Sequence, residues 1–216
     1  MQNVTERERF VSPGPRPQPL AFHGETLWAG CWDDSHLYAI DPLTWAVLEK
    51  VAAPGKPFGM TSFGEDLRVV VADENDDRFF YTFSPGAGFD LASRAACPEM
   101  TGSHLAADGG TLYLLQMGNQ RILMLDASGS VQREIALPTR CAGIGVAPDG
   151  FYMISADEEF EELYLATLDL TADDPTVVRV ASMPPEARAL AFHGSAWWTS
   201  YREASEIVSF TIPDPR

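Results

Sequence analysis

The sequence predicts an all-β fold, a five-bladed β-propeller of four-stranded antiparallel blades, and three observations carry that expectation. The first is a phrase of two short strands, rich in β-branched and aromatic residues, around a polar turn. It is clearest over 109–126, GGTLYLLQMGNQRILMLD. The second is its period: the phrase ends at Asp41, Phe83, Asp126, Asp169 and Thr211, spacings of 42, 43, 43 and 42 residues. A repeat of roughly 40–45 residues with several strands per unit is the period of a propeller blade. The third is punctuation, because four units close on a proline, at Pro54, Pro98, Pro138 and Pro184. An outermost strand tolerates proline, since a missing N–H costs least at an edge.

Each blade opens with an inner strand, over Gln18–Phe22, Phe58–Phe63, Ser103–Ala107, Ala142–Ala147 and Arg188–Phe192. A tight turn follows, carrying Gly24, Gly64, Gly110, Gly150 or Gly194, then the two strands of the phrase, then the edge strand. The last unit has no edge strand of its own. Residues 4–13 supply one, with the same order of charged, apolar and proline residues as the other edges. That strand is predicted to complete the blade at 186–212, clasping the ring and hiding edges that invite pairing. The proline-rich 13–19 is then a rigid lead-in to the first inner strand. The whole of 1–216 reads as a single domain.

At 216 residues and 45% hydrophobic, the chain can bury one sizeable core. A formal net charge of −16 excludes nucleic acid and anionic membrane as partners, since both would repel this surface. The N-terminus has no apolar core of a signal peptide, and no window approaches a membrane span. Cys31, Cys97 and Cys141 are odd in number and lack CxxC spacing, which points to reduced thiols and a cytoplasmic protein.

In a propeller the inner strands line the central channel, and the loops between second and third strands surround its mouth. Counting nine residues from each turn glycine lands on Asp33, Asp73, Asn119, Glu159 and Glu203. All five offer an oxygen, so a hard cation, Ca²⁺ or Mg²⁺, is one expectation; turn stabilisation by their own side chains is the other. The inner-strand starts add Gln18, Phe58, Ser103, His104, Arg140 and Arg188. His104 is a candidate general base or a hydrogen-bonded packing residue. Arg140 and Arg188 are candidates for a substrate carboxylate or phosphate, or for pairing with the abundant acids. Trp32, His36 and Tyr201 are candidates for an aromatic wall or for packing between blades. Trp28 and Trp198 read as core, and His23 and His193 as turn residues on the opposite face. Cys31 and Cys141 have no nucleophile signature, and the chain lacks GxSxG, HExxH, P-loop and GxGxxG motifs.

The blade wording over 20–51, LAFxGxxLWxG followed by LYAIDPxTxxVLxxV, resembles streptogramin-lyase-like, NHL and SMP-30-like propellers. With five blades the chain is most similar to plant-type glutaminyl cyclotransferases. Gln18-Pro19-Leu20 stands where that family has Gln-Gly-Leu, and Gly102–Asp126 resembles its blade-three phrase. The resemblance implies the five-bladed architecture. It does not carry the activity over: Phe58 occupies the place of the family's blade-two glutamate and Ser103 that of its blade-three tryptophan. Without that carboxylate, cyclisation loses its proton carrier.

The expected function is therefore an enzyme acting on a small organic molecule at the channel mouth, of lyase, hydrolase, isomerase or cyclase type. A divalent cation would polarise a carbonyl, His104 move a proton, Arg188 hold an anionic group, and Trp32 and Tyr201 enclose the apolar part. The alternative is a non-catalytic propeller that binds a ligand or protein on the same face.

Overall fold

The computed structural model describes residues 1–172 and 175–213. Five four-stranded antiparallel sheets are arranged as the blades of a propeller. Strand β1 spans Thr5–Val11. The first blade comprises β2 (Pro17–His23), β3 (Thr26–Cys31), β4 (His36–Ile40) and β5 (Val47–Ala52). The second comprises β6 (Lys56–Phe63), β7 (Asp66–Ala72), β8 (Arg78–Ser84) and β9 (Gly88–Ala96). The third comprises β10 (His104–Asp108), β11 (Thr111–Gln116), β12 (Arg121–Leu125) and β13 (Val131–Ala136). The fourth comprises β14 (Arg140–Ala147), β15 (Gly150–Ala156), β16 (Leu163–Leu168) and β17 (Val177–Met183). The fifth holds β18 (Ala191–His193), β19 (Ala196–Tyr201) and β20 (Glu206–Thr211), and its order, β1-β20-β19-β18, places the N-terminal strand at its outer edge.

Burial follows position in the blade. The middle strands are apolar on both faces because each sheet packs against a sheet on either side; β11, for example, is buried from Leu112 to Gln116. Edge strands β5, β9 and β13 alternate or are largely exposed, as their charged sequences require. The core is five inter-blade clusters rather than one centre. Trp28, Leu37 and Ala39 meet Val69, Val71 and Phe83 between blades one and two. The last interface closes the ring: Leu20, Leu27 and Tyr38 of blade one pack on Trp198 and Ile207 of blade five, with Phe10 of β1 against them. Trp28 and Trp198 are core, as expected. The three cysteines are buried free thiols, and burial holds all of them in the protonated form by raising their pKa values.

Two details shape the mouth. Register shifts interrupt three inner strands, between Pro17 and Leu20, Pro57 and Gly59, and Cys141 and Gly143. Such bulges re-aim side chains, and here they enclose Gln18, Phe58 and Ala142. The fifth inner strand is shorter than expected, three residues instead of five, because its ladder lapses after an isolated bridge from Ala187 to Tyr201. Arg188 lies in that gap, still tied by its N–H to Ser200 O at 3.0 Å.

Candidate functional site at the channel mouth

Inner strands start where second strands end, as the pairings Pro17 with Cys31, Lys56 with Ala72 and Arg140 with Ala156 show. The loops between second and third strands therefore share the channel mouth with the inner-strand starts. A cavity of about 300 Å³ opens there. Six of the residues singled out from the sequence line it together: Gln18, Trp32, Phe58, Ser103, His104 and Arg188. Met117, Ala142, Phe160 and Arg202 complete the wall and were not foreseen. Arg202 directly precedes Glu203, so its signal was adjacency to a loop position already marked. Phe160 closes the turn opened by Asp157, with φ of 58°, a left-handed conformation uncommon for a large side chain.

One side of the cavity is aromatic. The rings of Trp32 and Phe58 lie 4.5 Å apart. Cations crowd them: Arg202 stands 4.5 Å from the Trp32 centroid, with Arg16 at 5.5 Å and Lys56 at 5.7 Å, and Arg78 stands 3.7 Å from Phe58. The indole N–H of Trp32 is buried without an acceptor among the described residues.

The other side is a polar chain. Arg202 Nη1 donates to Gln18 Oε1 (3.3 Å), and Gln18 Nε2 lies 3.0 Å from His104 Nε2. With its oxygen on the guanidinium, the Gln18 amide must donate to His104, so Nε2 is unprotonated and the proton sits on Nδ1. Electrostatics agree. Burial, then Arg202 and Arg188, push the His104 pKa down to about 3. A general base so depressed and already accepting a hydrogen bond is a poor proton acceptor near neutrality, so the expected proton-transfer role for His104 loses its footing. The packing reading describes it better. An unfolded imidazole titrates near 6.5, so the unfolded state binds the proton first. This contribution is full above pH 6.5 and is lost as pH falls towards 3. The limiting slope is about 1.4 kcal/mol per pH unit. We expect His104→Gln to flatten the loss of melting temperature between pH 6.5 and 5; an unchanged calorimetric slope would remove this imidazole from the acid response.

Arg188 donates to Pro185 O (2.7 Å) and Ala187 O (2.8 Å), and no carboxylate among the described residues pairs with it. Burial, then the neighbouring Arg202, lower its pKa. Arg202 is held on its far side by Glu203, at 3.0 Å.

The oxygen-bearing loop residues do not converge. Asp33 and Glu203 both pair with Arg16, at 3.7 and 3.1 Å. Asp73 accepts the N–H groups of Asn75 and Asp77, at 2.9 and 3.2 Å, and faces Arg94. Asn119 donates to Glu99 at 3.0 Å, and Glu159 is exposed. No group of three His, Cys, Asp or Glu among the described residues could hold a metal ion. The five positions thus do not form the expected Ca²⁺ or Mg²⁺ ring among the described residues: Asp73 serves its own turn, Asp33 and Glu203 sit on Arg16, and Asn119 holds Glu99. Three other candidates lie off the cavity wall. His36 contacts Asp34 and stands 6.3 Å from the Tyr38 ring on the blade-one flank. Tyr201 is buried between blades four and five, beside Val4, Ser182 and Val208, with its pKa raised to about 12 chiefly by burial. Arg140 pairs with Glu158 at 3.0 Å, the acid-paired alternative.

No family model and no curated protein matches the chain. Solved structures do. The PQQ-bound form of aldose sugar dehydrogenase from Streptomyces coelicolor is similar with a TM-score of 0.63 and 13% identity, over 98% of each chain. Glutaminyl cyclase from Myxococcus xanthus is similar at a TM-score of 0.50 and 12% identity, over 92% of this chain and 74% of that one. A Bacteroides thetaiotaomicron protein of unknown function is similar at 0.59 and 13%, over 99% of this chain and 73% of that one. At these identities the likeness is one of fold: a five-bladed β-propeller, with sugar dehydrogenase and glutaminyl cyclase propellers among its structural neighbours.

Proposed function

We propose that the protein binds a small organic anion in the mouth cavity. Its charged group sits on Arg188, backed by Arg202, and its apolar body lies against Trp32, Phe58 and Phe160. The observation that carries this reading is the Arg188 guanidinium: partly buried at a cavity wall, beside a second guanidinium, with Glu203 and Glu186 acting on it only from beyond ion-pair distance among the described residues. A guanidinium so placed favours an anionic ligand, because the ligand offsets both desolvation and like-charge repulsion. Buried free thiols suit a reducing compartment, so the cytoplasm is the proposed setting.

A catalytic reading rests on the same groups, and the neighbouring folds include enzymes. The two guanidiniums would stabilise negative charge developing on a bound carbonyl, as an isomerase, lyase, hydrolase or cyclase of small molecules requires. The base would come from water or substrate rather than from His104.

Calorimetric titration with a panel of organic carboxylates tests the reading. The neighbour's PQQ, a flat polycarboxylate, belongs in that panel. A charge-assisted hydrogen bond contributes about 1.5–3 kcal/mol, so Arg188→Gln should weaken any carboxylate that binds by roughly 10- to 150-fold. Equal affinity in wild type and variant would sink the proposal.

A further inference from the structure

The two guanidiniums of the cavity wall leave more donors and more positive charge unmatched than one carboxylate can meet. This narrows the anion of the site just proposed, on which the inference rests. Arg188 spends only Nη1 on protein carbonyls, and no acceptor among the described residues meets its Nε or Nη2. Arg202 spends Nε on Glu203 and Nη1 on Gln18, and its Nη2 meets no acceptor among them either. None of these partnerless nitrogens is enclosed, and both residues line the cavity. Charge is unmatched as well. Arg16, Lys56 and Arg202 surround the Trp32 ring at 5.5, 5.7 and 4.5 Å, and Arg188 adjoins Arg202. Among the described residues only Asp33 and Glu203, both on the exposed rim, form ion pairs with these four cations. Glu186 acts on Arg188 from beyond ion-pair distance. Four cations against two paired carboxylates leave an excess of two positive charges at the mouth of a chain whose formal net charge is −16.

We infer that the cavity binds a doubly charged head group with three oxygens, the phosphate monoester of a small aromatic or apolar alcohol. Its oxygens would take Nε and Nη2 of Arg188 and Nη2 of Arg202, and its second charge would offset the repulsion between the guanidiniums. A carboxylate can fill the Arg188 fork, but its two oxygens and single charge leave Arg202 unmatched. The ring would lie against Phe58, Phe160 and Met117. A cavity of about 300 Å³ is at the small end for a ligand pocket, which suits one ring and its head group rather than a nucleotide.

Phenyl phosphate, benzenesulfonate and benzoate share a phenyl ring and differ in the charge and oxygen count of the head group. Each is titrated calorimetrically into the full chain in a phosphate-free buffer at pH 7.5. Phenyl phosphate should bind about tenfold or more tighter than either, since one further hydrogen bond between charged groups is worth that much. A phosphate monoester gives up its second proton near pH 6, so this affinity should fall about tenfold at pH 5. Benzenesulfonate, a monoanion throughout, should hold steady, because His104, pushed down to about 3, does not titrate in that window. Arg202→Gln should shrink the advantage of phenyl phosphate over benzoate to about threefold or less, with a melting curve to check that it folds. Lys56→Gln, at an exposed position, should lower the advantage in the same direction. Benzoate binding as tightly as phenyl phosphate, or a phosphate affinity indifferent to pH, would overturn the dianion and leave the anion site standing. An undiminished phosphate advantage in both variants would overturn it too. Failure of all three probes to bind would overturn both readings.

Discussion

A chain lacking residues 2–11 should lose cooperative folding or melt at least 10–20 °C lower, with a tendency to aggregate. Strand β1 pairs with β20 from Thr5 to Val11. Ahead of it, Val4 N–H donates to Ser182 O and Ser182 N–H to Gln2 O, both within 3.0 Å, so the same segment bridges blades four and five. Its largest contact is Phe10, stacked 4.0 Å from Trp45 and 6.3 Å from Trp198. Losing a packed phenylalanine costs about 3–5 kcal/mol, and each ladder hydrogen bond about 0.5–1.5 more. For a chain of this size each kcal/mol is roughly 2–4 °C. The bared edge of β20 would also offer unpaired N–H and C=O groups to other chains. Phe10→Ala isolates the packing part and should cost about 3 kcal/mol in a denaturant melt. A truncated chain with a wild-type transition would show that the ring closes without its clasp.

Gly143→Ala should be among the most damaging single-methyl changes. A Cβ at Gly143 would lie 2.4 Å from the Arg188 carbonyl oxygen, a backbone atom that cannot swing aside. Inner strands of neighbouring blades approach this closely only where one side carries no side chain. The same crowding holds at Gly59, whose Cβ would meet the backbone of His104 and Leu105 at 2.9 Å. Overpacking of this kind costs about 1–3 kcal/mol. The strain would be relieved by moving Arg188, so ligand affinity should fall along with melting temperature. Gly118→Ala is the control: nothing lies within 4 Å of its would-be Cβ, and stability should stay within about 0.5 kcal/mol. If Gly143→Ala melts like the control, the strands are less tightly apposed than described.

The ring was legible because its signals are periodic. The recurrence of phrases ending at Asp41, Phe83, Asp126, Asp169 and Thr211 locates the third strands, and the remaining strands follow by order along the chain. Residues at inner-strand starts were found for the same reason: these starts surround the mouth, so Gln18, Phe58, Ser103, His104 and Arg188 fall on the cavity wall, while Arg140 turns to Glu158 instead. Loop residues were not legible by counting. A fixed offset places Asp73 and Asn119 on the right face, but the direction of the side chain depends on which local N–H or arginine claims it. The ionisation state of His104 was equally hidden, since it is set first by burial and then by Arg202 and Arg188 from another blade. Tyr201 misled for a different reason: it ends a strand at the mouth but points to the blade-four side of its sheet, into the core cluster there.

The cavity wall takes residues from every blade: Gln18 from the first, Phe58 from the second, His104 from the third, Phe160 from the fourth and Arg188 from the fifth. A molecule bound there would be a hub in contact with all the spokes. Its binding energy belongs to the closed circle rather than to any one sheet. Whatever tilts a single blade, even at the outer rim, changes the fit at the centre, and occupancy of the centre resists that tilt in return.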